Sequence, residues 1–260
     1  MNKPTGYVSA DYLRKAAELA QTLKLRTYEL MNIKPGDQLL DAGCGPGIDT
    51  IELARLIDDT GHVYGIDVDK DMLAEANALA EKENLQGRIT HQLAEVLKLP
   101  FETNQLDACR AERLFQVLPS STNKEQVLDE LLRVVKPGGR IVLADTDWAT
   151  ASVDFGDTAF ERRMMGFFAE TMRPNAYAGR QFFRMLKQRA ANNIEIEVFP
   201  MIVTDYGQTP FGDWLCGEAV EKSIASKDEM MNWKNLLAND NKSGEFYCTV
   251  NMVLVSGENI

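Results

Sequence analysis

Short apolar runs alternate with segments of helical period along the first 150 residues of the chain. Turns rich in glycine, proline or asparagine separate the two kinds of segment, and the first two apolar runs each end in an aspartate, Asp41 and Asp67. Short apolar runs predict buried strands, and apolar positions about 3.6 residues apart predict helices. The predicted strands cover residues 38–41, 62–67, 88–93, 106–110 and 140–145, and the predicted helices cover 9–32, 49–56, 70–84 and 124–135. This alternation indicates an α/β fold with a parallel sheet between two helical layers.

The regular alternation ends after residue 150. The pattern there predicts helices at 157–172, 180–191 and 211–237 and strands at 194–199 and 246–255. Because no low-complexity linker precedes this part, we expect one domain over residues 1–260. Its core is placed at about 30–147, and helices at about 155–192 and 208–240 are expected to cap the carboxyl edge of the sheet.

The composition is typical of a globular protein and argues against nucleic acid as a partner. Hydrophobic residues make up 45% and charged residues 26% of the 260 residues, which are ordinary values. The formal net charge is -11 at pH 7. Binding to a phosphate backbone normally requires clustered lysine and arginine, so a surplus of acidic residues opposes it.

The cysteines and histidines do not suggest a metal site. The four cysteines form no Cys-x-x-Cys pair, and there are only two histidines, so we expect reduced structural thiols and no metal. No apolar run approaches the roughly 18 residues of a membrane span, and the first residues lack the apolar core of a signal peptide. We therefore expect a cytoplasmic protein without a membrane span, and a homodimer is the one oligomer considered.

The segment 38–48 is the strongest candidate for a binding site. An apolar strand ends at Asp41, the chain turns on Gly43, Gly45 and Gly47, and a helical pattern follows. Glycines permit a tight turn and let a ligand approach the backbone, and a helix start offers unpaired N–H groups. A dinucleotide site follows Gly-x-Gly-x-x-Gly, whereas the third glycine here comes one residue early. A carboxylate at position 41 also suits a cationic ligand better than a pyrophosphate.

Three motifs follow one another in the first part of the chain: residues 41–47 after the first strand, Asp67 after the second, and residues 134–140 before the fifth. Together they resemble the motifs of class I S-adenosylmethionine-dependent methyltransferases. The run 110–118 is similar to a small-molecule subgroup, that of ubiquinone and menaquinone biosynthesis, although Val117 replaces a histidine frequent there. The resemblance implies a three-layer Rossmann-like domain with a mostly parallel seven-stranded sheet, whose last strand is antiparallel. It also implies S-adenosylmethionine as cofactor and a small-molecule acceptor.

The resemblance also implies roles for individual residues at the cofactor. Asp41, Gly43 and Gly45 would line the methionine moiety. Asp67 would accept hydrogen bonds from both ribose hydroxyls, since an ionised carboxylate has two oxygens, and a helix cap is the alternative. The further cofactor contacts implied are the helix start at Gly47, Val68 and Met72 beside the adenine, Ala94 and Glu95 at its amino group, the Arg110 carbonyl, and Tyr7 closing over the cofactor. The adenine contact is assigned to the backbone of Ala94 because Leu93 stands where the family usually has an aspartate.

The acceptor is expected beyond the end of the fifth strand. The residues assigned to its pocket are Trp148, Phe168, Arg173 and Arg180. For the aromatic residues the alternative is a place in the core, which is the more frequent role of aromatic residues at helical spacing. For the two arginines the alternatives are binding of an anionic acceptor and pairing with the surplus acidic residues. If the acceptor must lose a proton, the candidate bases are Asp147, Glu112 and Tyr177, and Glu112 has a structural ion pair with Arg113 as its alternative role.

The sequence therefore predicts transfer of a methyl group from S-adenosylmethionine to a small organic acceptor. Three other functions stay open at this point. They are an NAD-type oxidoreductase, a methyltransferase acting on RNA, and a noncatalytic protein that binds S-adenosylmethionine.

Overall fold

The structure is a computed structural model, and it describes residues 19–260. The strands in this part of the chain are β1 (Gln38–Ala42), β2 (His62–Asp67), β3 (Ile89–Leu93), β4 (Leu106–Glu112), β5 (Val135–Val153), β6 (Asn192–Val203) and β7 (Cys248–Glu258). The α-helices are α1 (Gln21–Leu30), α2 (Ile48–Leu56), α3 (Lys70–Lys82), α4 (Lys124–Val134), α5 (Thr158–Phe167), α6 (Ala178–Gln188), α7 (Asp213–Glu221) and α8 (Lys227–Ser243). Short 3-10 turns lie at Phe115–Val117 and Tyr206–Gln208, and a π-helical turn follows α5 at Phe168–Met172.

The seven strands form one sheet in the order β3-β2-β1-β4-β5-β7-β6. Strands β1 to β5 are paired in parallel, and β7 runs antiparallel to both β5 and β6. This arrangement confirms the predicted α/β fold, including the antiparallel last strand. In the register, Asp41 lies beside Gly65 of β2 and Arg110 of β4, so the ends of the three strands meet at one edge.

Alternating residues of the central strands pack against helices on opposite faces of the sheet. Leu39 belongs to a buried cluster with α1, α2 and α3, whereas its neighbour Leu40 belongs to a second cluster with α4 and α6. Because side chains alternate along a strand, a strand buried on both faces must be apolar at nearly every position. The near-continuous apolar runs of the sequence have this origin.

A separate hydrophobic cluster lies beyond the carboxyl edge of the sheet. We call it the distal cluster, and it is formed by the end of β5, α5, the π-helical turn, α7, α8 and the start of β7. Trp233 and Phe168 are fully buried within it, and the Trp233 ring packs on Phe155 at 4.7 Å between ring centroids. The distal cluster is built from helices that the sequence assigned to the cap.

Helix α6 falls within the first predicted cap segment but packs on the sheet. Phe182, Met185 and Leu186 are buried in the cluster shared with α4. At Gly179 a Cβ atom would lie only 2.5 Å from the Asp145 carbonyl oxygen, so the start of α6 lies directly against β5.

Some predicted boundaries differ from the structure. Strand β5 starts at Val135, because Gly138 adopts a φ of 77° and its N–H donates to Asn259, so the predicted turn lies within the strand. The predicted helix 211–237 is two helices, since Ser226 and Glu229 form a capping box that starts α8. Helix α1 covers the end of the predicted helix 9–32, whose first ten residues lie outside the described part.

Candidate functional site

The glycine turn after β1 is held against β2. The N–H groups of Gly43 and Cys44 both donate to the Ile66 carbonyl, at 2.8 and 3.0 Å. Gly43, Gly45 and Gly47 have φ values of 78°, 51° and 78°, a region that side chains with a Cβ rarely adopt. Helix α2 begins directly after Gly47 without a side-chain cap, whereas Asp69 caps α3. The N–H groups at the start of α2 therefore remain available to a ligand.

Asp67 lies at the end of β2 with its carboxylate turned toward the glycine turn. Its Oδ2 accepts the N–H of Gly45 and its Oδ1 accepts the N–H of Asp69, each at 2.9 Å. Burial raises the pKa of this carboxyl, and the backbone donors oppose the rise. Asp69 rather than Asp67 caps the following helix, and each Asp67 oxygen keeps a lone pair for another donor. Asp67 is thus placed to bind a vicinal diol.

The residues predicted to flank an adenine ring lie along the edge next to Asp67. Val68 is exposed at 62%, Met72 is buried, Ala94 is half-buried and Glu95 is exposed. The N–H of Ala94 donates to the Asp67 carbonyl at 3.1 Å. That N–H is therefore occupied, and a backbone contact of Ala94 with a ligand is left to its carbonyl group.

Beneath the glycine turn lies a group of charged side chains that we call the buried ionic cluster. Its members are Lys24, Tyr28, Asp41, Asp49, Arg110 and Glu112. The Arg110 guanidinium, 1% exposed, lies 2.9 Å from Asp41, 3.1 Å from Asp49 and 2.5 Å from Glu112. Lys24 bridges Asp49 at 2.7 Å and Glu112 at 3.0 Å. Side chains from α1, β1, α2 and β4 thus meet in one network of ion pairs.

Burial and neighbouring charges give the three acids of this cluster different proton affinities. Burial raises the pKa of Asp41 to about 7, although Arg110 opposes the rise. Burial also acts on Asp49 and Glu112, but Lys24 and Arg110 outweigh it and hold both pKa values below their usual range. Glu112 is therefore an ionised partner of two cations.

Within residues 19–260, two atoms of the buried ionic cluster find no hydrogen-bond partner: Asp41 Oδ2 and Arg110 Nε. An unpaired carboxylate oxygen in a buried site is costly unless a ligand supplies a donor. The sequence predicts site roles for Asp41, Arg110 and Glu112, but not for Lys24 and Asp49. Asp49 stands in the first turn after the glycines, where an acid is common, and nothing local in the sequence connects it to Lys24.

The ends of β4 and β5 are joined by a chain of hydrogen bonds. Asp145 Oδ2 accepts the N–H of Gln116 at 3.0 Å, and Gln116 Oε1 accepts the Trp148 indole N–H at 2.6 Å. Asn175 donates to the carbonyls of Phe115 and Leu118 at 3.0 and 2.8 Å. These contacts hold the segment after β4 against the loop before α6.

Asp147 lies two residues beyond Asp145 in β5 and is 4% exposed. Its Oδ2 accepts the Nε–H of Arg180 at 2.6 Å, while its buried Oδ1 has no partner among the residues that the structure describes. The Arg180 guanidinium lies 5.2 Å from the centre of the Tyr177 ring. The structure therefore brings together Asp147, Tyr177 and Arg180, and it places Glu112 apart from them in the buried ionic cluster.

The predicted pocket aromatics lie largely inside the distal cluster. Trp148 is 8% exposed and Phe168 is fully buried, with 5.1 Å between their ring centroids. The Arg173 guanidinium lies 4.8 Å from the centre of the Trp148 ring and 5.0 Å from that of Phe168. A surface cavity of about 400 Å³, lined partly by Ala149, Met165 and Tyr177, adjoins this region.

Within residues 19–260, no group of three or more histidine, cysteine, aspartate or glutamate side chains is arranged to hold a metal ion. All four cysteines are buried and free, as the sequence analysis expected. None of the described helices has the length and apolar character needed to cross a bilayer. Tyr7 lies outside the described residues.

Comparison with known proteins identifies the family. A family model described as a methyltransferase domain matches residues 33–235. The chain belongs to this family. Its curated relatives include the 2-phytyl-1,4-naphtoquinone methyltransferase of Trichormus variabilis, 39% identical over 112 residues, which are 43% of this chain and 48% of the relative. The demethylmenaquinone methyltransferase of Bacillus mycoides is 36% identical over 125 residues, 48% of this chain and 51% of the relative. The chain spans about half the length of the curated relatives it matches.

Solved structures share the fold of the methyltransferase domain. The YcgJ protein of Bacillus subtilis superimposes with a TM-score of 0.61 at 15% identity, covering 92% of this chain and 98% of that chain. Family and fold together confirm the predicted class, that of class I S-adenosylmethionine-dependent methyltransferases, and S-adenosylmethionine as its cofactor. The roles of individual site residues stay predictions.

Proposed function

We propose that this methyltransferase moves the methyl group of S-adenosylmethionine to a small organic acceptor and leaves S-adenosylhomocysteine. The main support is that Asp41 Oδ2, beside the glycine turn, accepts no hydrogen bond from the described residues. A buried carboxylate oxygen without a donor fits the cationic amino-acid end of the cofactor, and it would repel the pyrophosphate of a dinucleotide. The residues present therefore fit S-adenosylmethionine better than NAD.

The cofactor would lie along the edge formed by the ends of β1, β2 and β4. Asp41, Gly43 and Gly45 would hold the methionine part, and Asp67 the ribose hydroxyls. Val68, Met72, Ala94 and Glu95 would surround the adenine, with Gly47 at the start of α2, the Arg110 carbonyl at the methionine end and Tyr7 over the cofactor. Support comes from the free lone pairs of Asp67 and from the uncapped start of α2.

The bound cofactor supplies a methyl group that its sulfonium charge already activates. The protein must hold the acceptor in line with that methyl group and exclude water. The hydrogen bonds from Asp145 through Gln116 to Trp148 fix the ends of β4 and β5, between which the acceptor would lie. The distal cluster would then form the cap over this edge.

Among the three candidate bases we assign the proton transfer to Asp147. Glu112 is poorly suited because it pairs with both Arg110 and Lys24, and removing its charge would leave these cations without that partner. Asp147 has a buried Oδ1 without a hydrogen-bond partner, which suits a donor group of the acceptor. Tyr177 would help to shape the pocket, since it lines the adjoining cavity.

The acceptor we propose is a small, mainly apolar molecule with an ionisable O–H or N–H group. Met165 and Tyr177 line the adjoining cavity with apolar and aromatic surface, and Arg173 and Arg180 bring positive charge to the same side. The printed names of two relatives identify quinone-type acceptors for those enzymes, which favours a ring-containing molecule here. The net charge of -11 disfavours RNA.

We further propose a cytoplasmic protein that works alone or as a homodimer. The four free cysteines support a reducing compartment. Light scattering of the purified chain at several concentrations would distinguish a monomer from a dimer.

The test is methyl transfer from labelled S-adenosylmethionine to a panel of small phenols, hydroquinones and amines. We expect product from at least one ring-containing acceptor, and loss of at least a hundredfold in kcat for Asp147→Asn with an unchanged cofactor affinity. Asp154→Asn, an exposed aspartate just beyond β5, is the matched control and should keep full activity. Cofactor binding without transfer to any acceptor, or full activity of Asp147→Asn, would refute the corresponding part of the proposal.

A further inference from the structure

The buried ionic cluster contains more charged groups than contact with a cofactor requires. Arg110 Nη1 lies between Asp41 Oδ1 and Asp49 Oδ2, and its Nη2 donates to Glu112. An arginine this deeply buried costs free energy that its three acidic partners and the Tyr28 ring, 5.4 Å from the guanidinium, help to offset. Any role of Arg110 beyond packing must act through the carboxylates that it contacts.

The contacts within this cluster leave Asp41 with one occupied and one open oxygen. Lys24 donates to both oxygens of Asp49, which also accepts the Tyr28 hydroxyl at 2.5 Å. Asp49 is therefore saturated, whereas Asp41 is bound through Oδ1 alone. The fixed fork of a guanidinium sets the orientation of a carboxylate that it contacts.

We propose that Arg110 is a positioning residue for the cofactor: it fixes Asp41 through Oδ1 so that Oδ2 faces the α-ammonium group of the amino-acid end. Lys24 supports this arrangement from α1, because it occupies Asp49 and Glu112 and so keeps both acids beside Arg110. The inference rests on the proposed role of Asp41 at the methionine end. Side chains of α1 (Lys24) and β4 (Arg110) then control the contact between Asp41 and the cofactor.

The charge on Asp41 depends on the same neighbours. The groups that act on it are Arg110, Asp49, Lys24 and Glu112, and the buried thiols of Cys44 and Cys109 lie close enough for Asp41 to raise their pKa values. Burial already raises the pKa of Asp41 to about 7 against the opposing effect of Arg110. Without Arg110, Asp41 would lose its ion-pair partner, and its pKa would rise further because Lys24 alone would oppose burial and the neighbouring acids.

The test compares three ligands by isothermal titration calorimetry: S-adenosylmethionine, S-adenosylhomocysteine and 5′-methylthioadenosine, which lacks the amino-acid end. For Arg110→Met we expect at least tenfold weaker binding of the first two and less than a twofold change for the third. Arg110→Lys should recover part of the loss. The matched control is Arg140→Met, a buried arginine near the start of β5 that bonds Leu30, Ser256 and Glu195 and no member of the buried ionic cluster. It should leave the ratio of the three affinities unchanged.

A pH series with the wild-type chain keeps the inference testable if Arg110→Met does not fold. Between pH 7 and pH 5 the preference for S-adenosylmethionine over 5′-methylthioadenosine should fall, because Asp41 takes up a proton. A preference that stays constant over this range, or equal weakening of all three ligands by Arg110→Met, would overturn the inference. Failure of methyl transfer to every acceptor would refute the proposed catalysis and leave these binding results unaffected.

Discussion

Replacing Gly47 with alanine tests both the conformation of the glycine turn and its packing. Gly47 has a φ of 78°, and a Cβ there would lie 2.8 Å from the Ala76 Cβ and 3.2 Å from His91 Nε2. His91 also contacts the Thr50 hydroxyl at 2.9 Å, so the ring has little freedom to move away. The substitution therefore meets both an unfavourable backbone conformation and a crowded site.

The two effects can be given separate magnitudes. An alanine in the left-handed region costs about 1 to 2 kcal/mol. Overpacking of a buried site costs about 1 to 3 kcal/mol. We expect Gly47→Ala to lower the free energy of unfolding by about 2 to 5 kcal/mol, the sum of these two ranges.

Urea denaturation of two variants separates the terms. Gly244 has nearly the same φ, 77°, but a Cβ there meets nothing within 4 Å. Gly244→Ala should therefore show only the backbone cost, about 1 to 2 kcal/mol. Adding Ala76→Gly to Gly47→Ala removes the nearest atom and should give a favourable coupling energy in a double-mutant cycle. Equal losses for Gly47→Ala and Gly244→Ala would show that the packing described beside Gly47 is wrong.

Two further predictions concern acidic residues at the same edge of the sheet. Asp67→Ala should weaken S-adenosylmethionine binding by about 2 to 3 kcal/mol because a charge-assisted contact with two hydroxyls is lost. Calorimetry measures the affinity, and Asp71→Ala, at an exposed aspartate, is the control. An unchanged affinity for Asp67→Ala would mean that the ribose is held elsewhere. Burial raises the pKa of Asp145 to about 7, above its unfolded value of about 4, so its stabilising contribution is complete below pH 4 and is lost as the pH rises through 7. The free energy of unfolding of the wild-type protein should therefore fall with pH between pH 5 and 7, and Asp145→Asn should remove up to about 1.4 kcal/mol per pH unit of that fall. Parallel curves of unfolding free energy against pH for the wild type and Asp145→Asn would contradict the prediction.

The sequence predicted the cofactor side of the fold well because its signals are local. A strand that ends in Asp41, a turn on three glycines and a helix start occupy one short segment, and each has its own steric or hydrogen-bonding reason. The end of β2 at Asp67 was predicted for the same reason. Strand and helix bounds there agree with the structure within one or two residues.

The parts that the sequence did not predict depend on contacts between distant positions. Lys24 and Glu112 are 88 residues apart, and neither position carries a motif that pairs them. Helix α6 was assigned to the cap because its apolar stripe suits any apolar surface, whether sheet or cap. The length of β5 was missed because Asn259, near the far end of the sequence, bonds the segment that was predicted to be a turn.

The place of β7 in the sheet restricts the order in which the molecule assembles. Among the described strands, β6 is paired with β7 and with no other, and β7 also pairs with the side of β5 that β4 does not occupy. Until β7 inserts between them, β5 and β6 each keep an unpaired backbone edge. The distal cluster also lacks the residues that the start of β7 contributes. Pairing of β5 with β7 therefore brings together positions from 95 (Val153 and Cys248) to 118 (Arg140 and Glu258) residues apart, and contacts between such distant positions form slowly. Until β7 is in place, the exposed edges of β5 and β6 could pair with other chains.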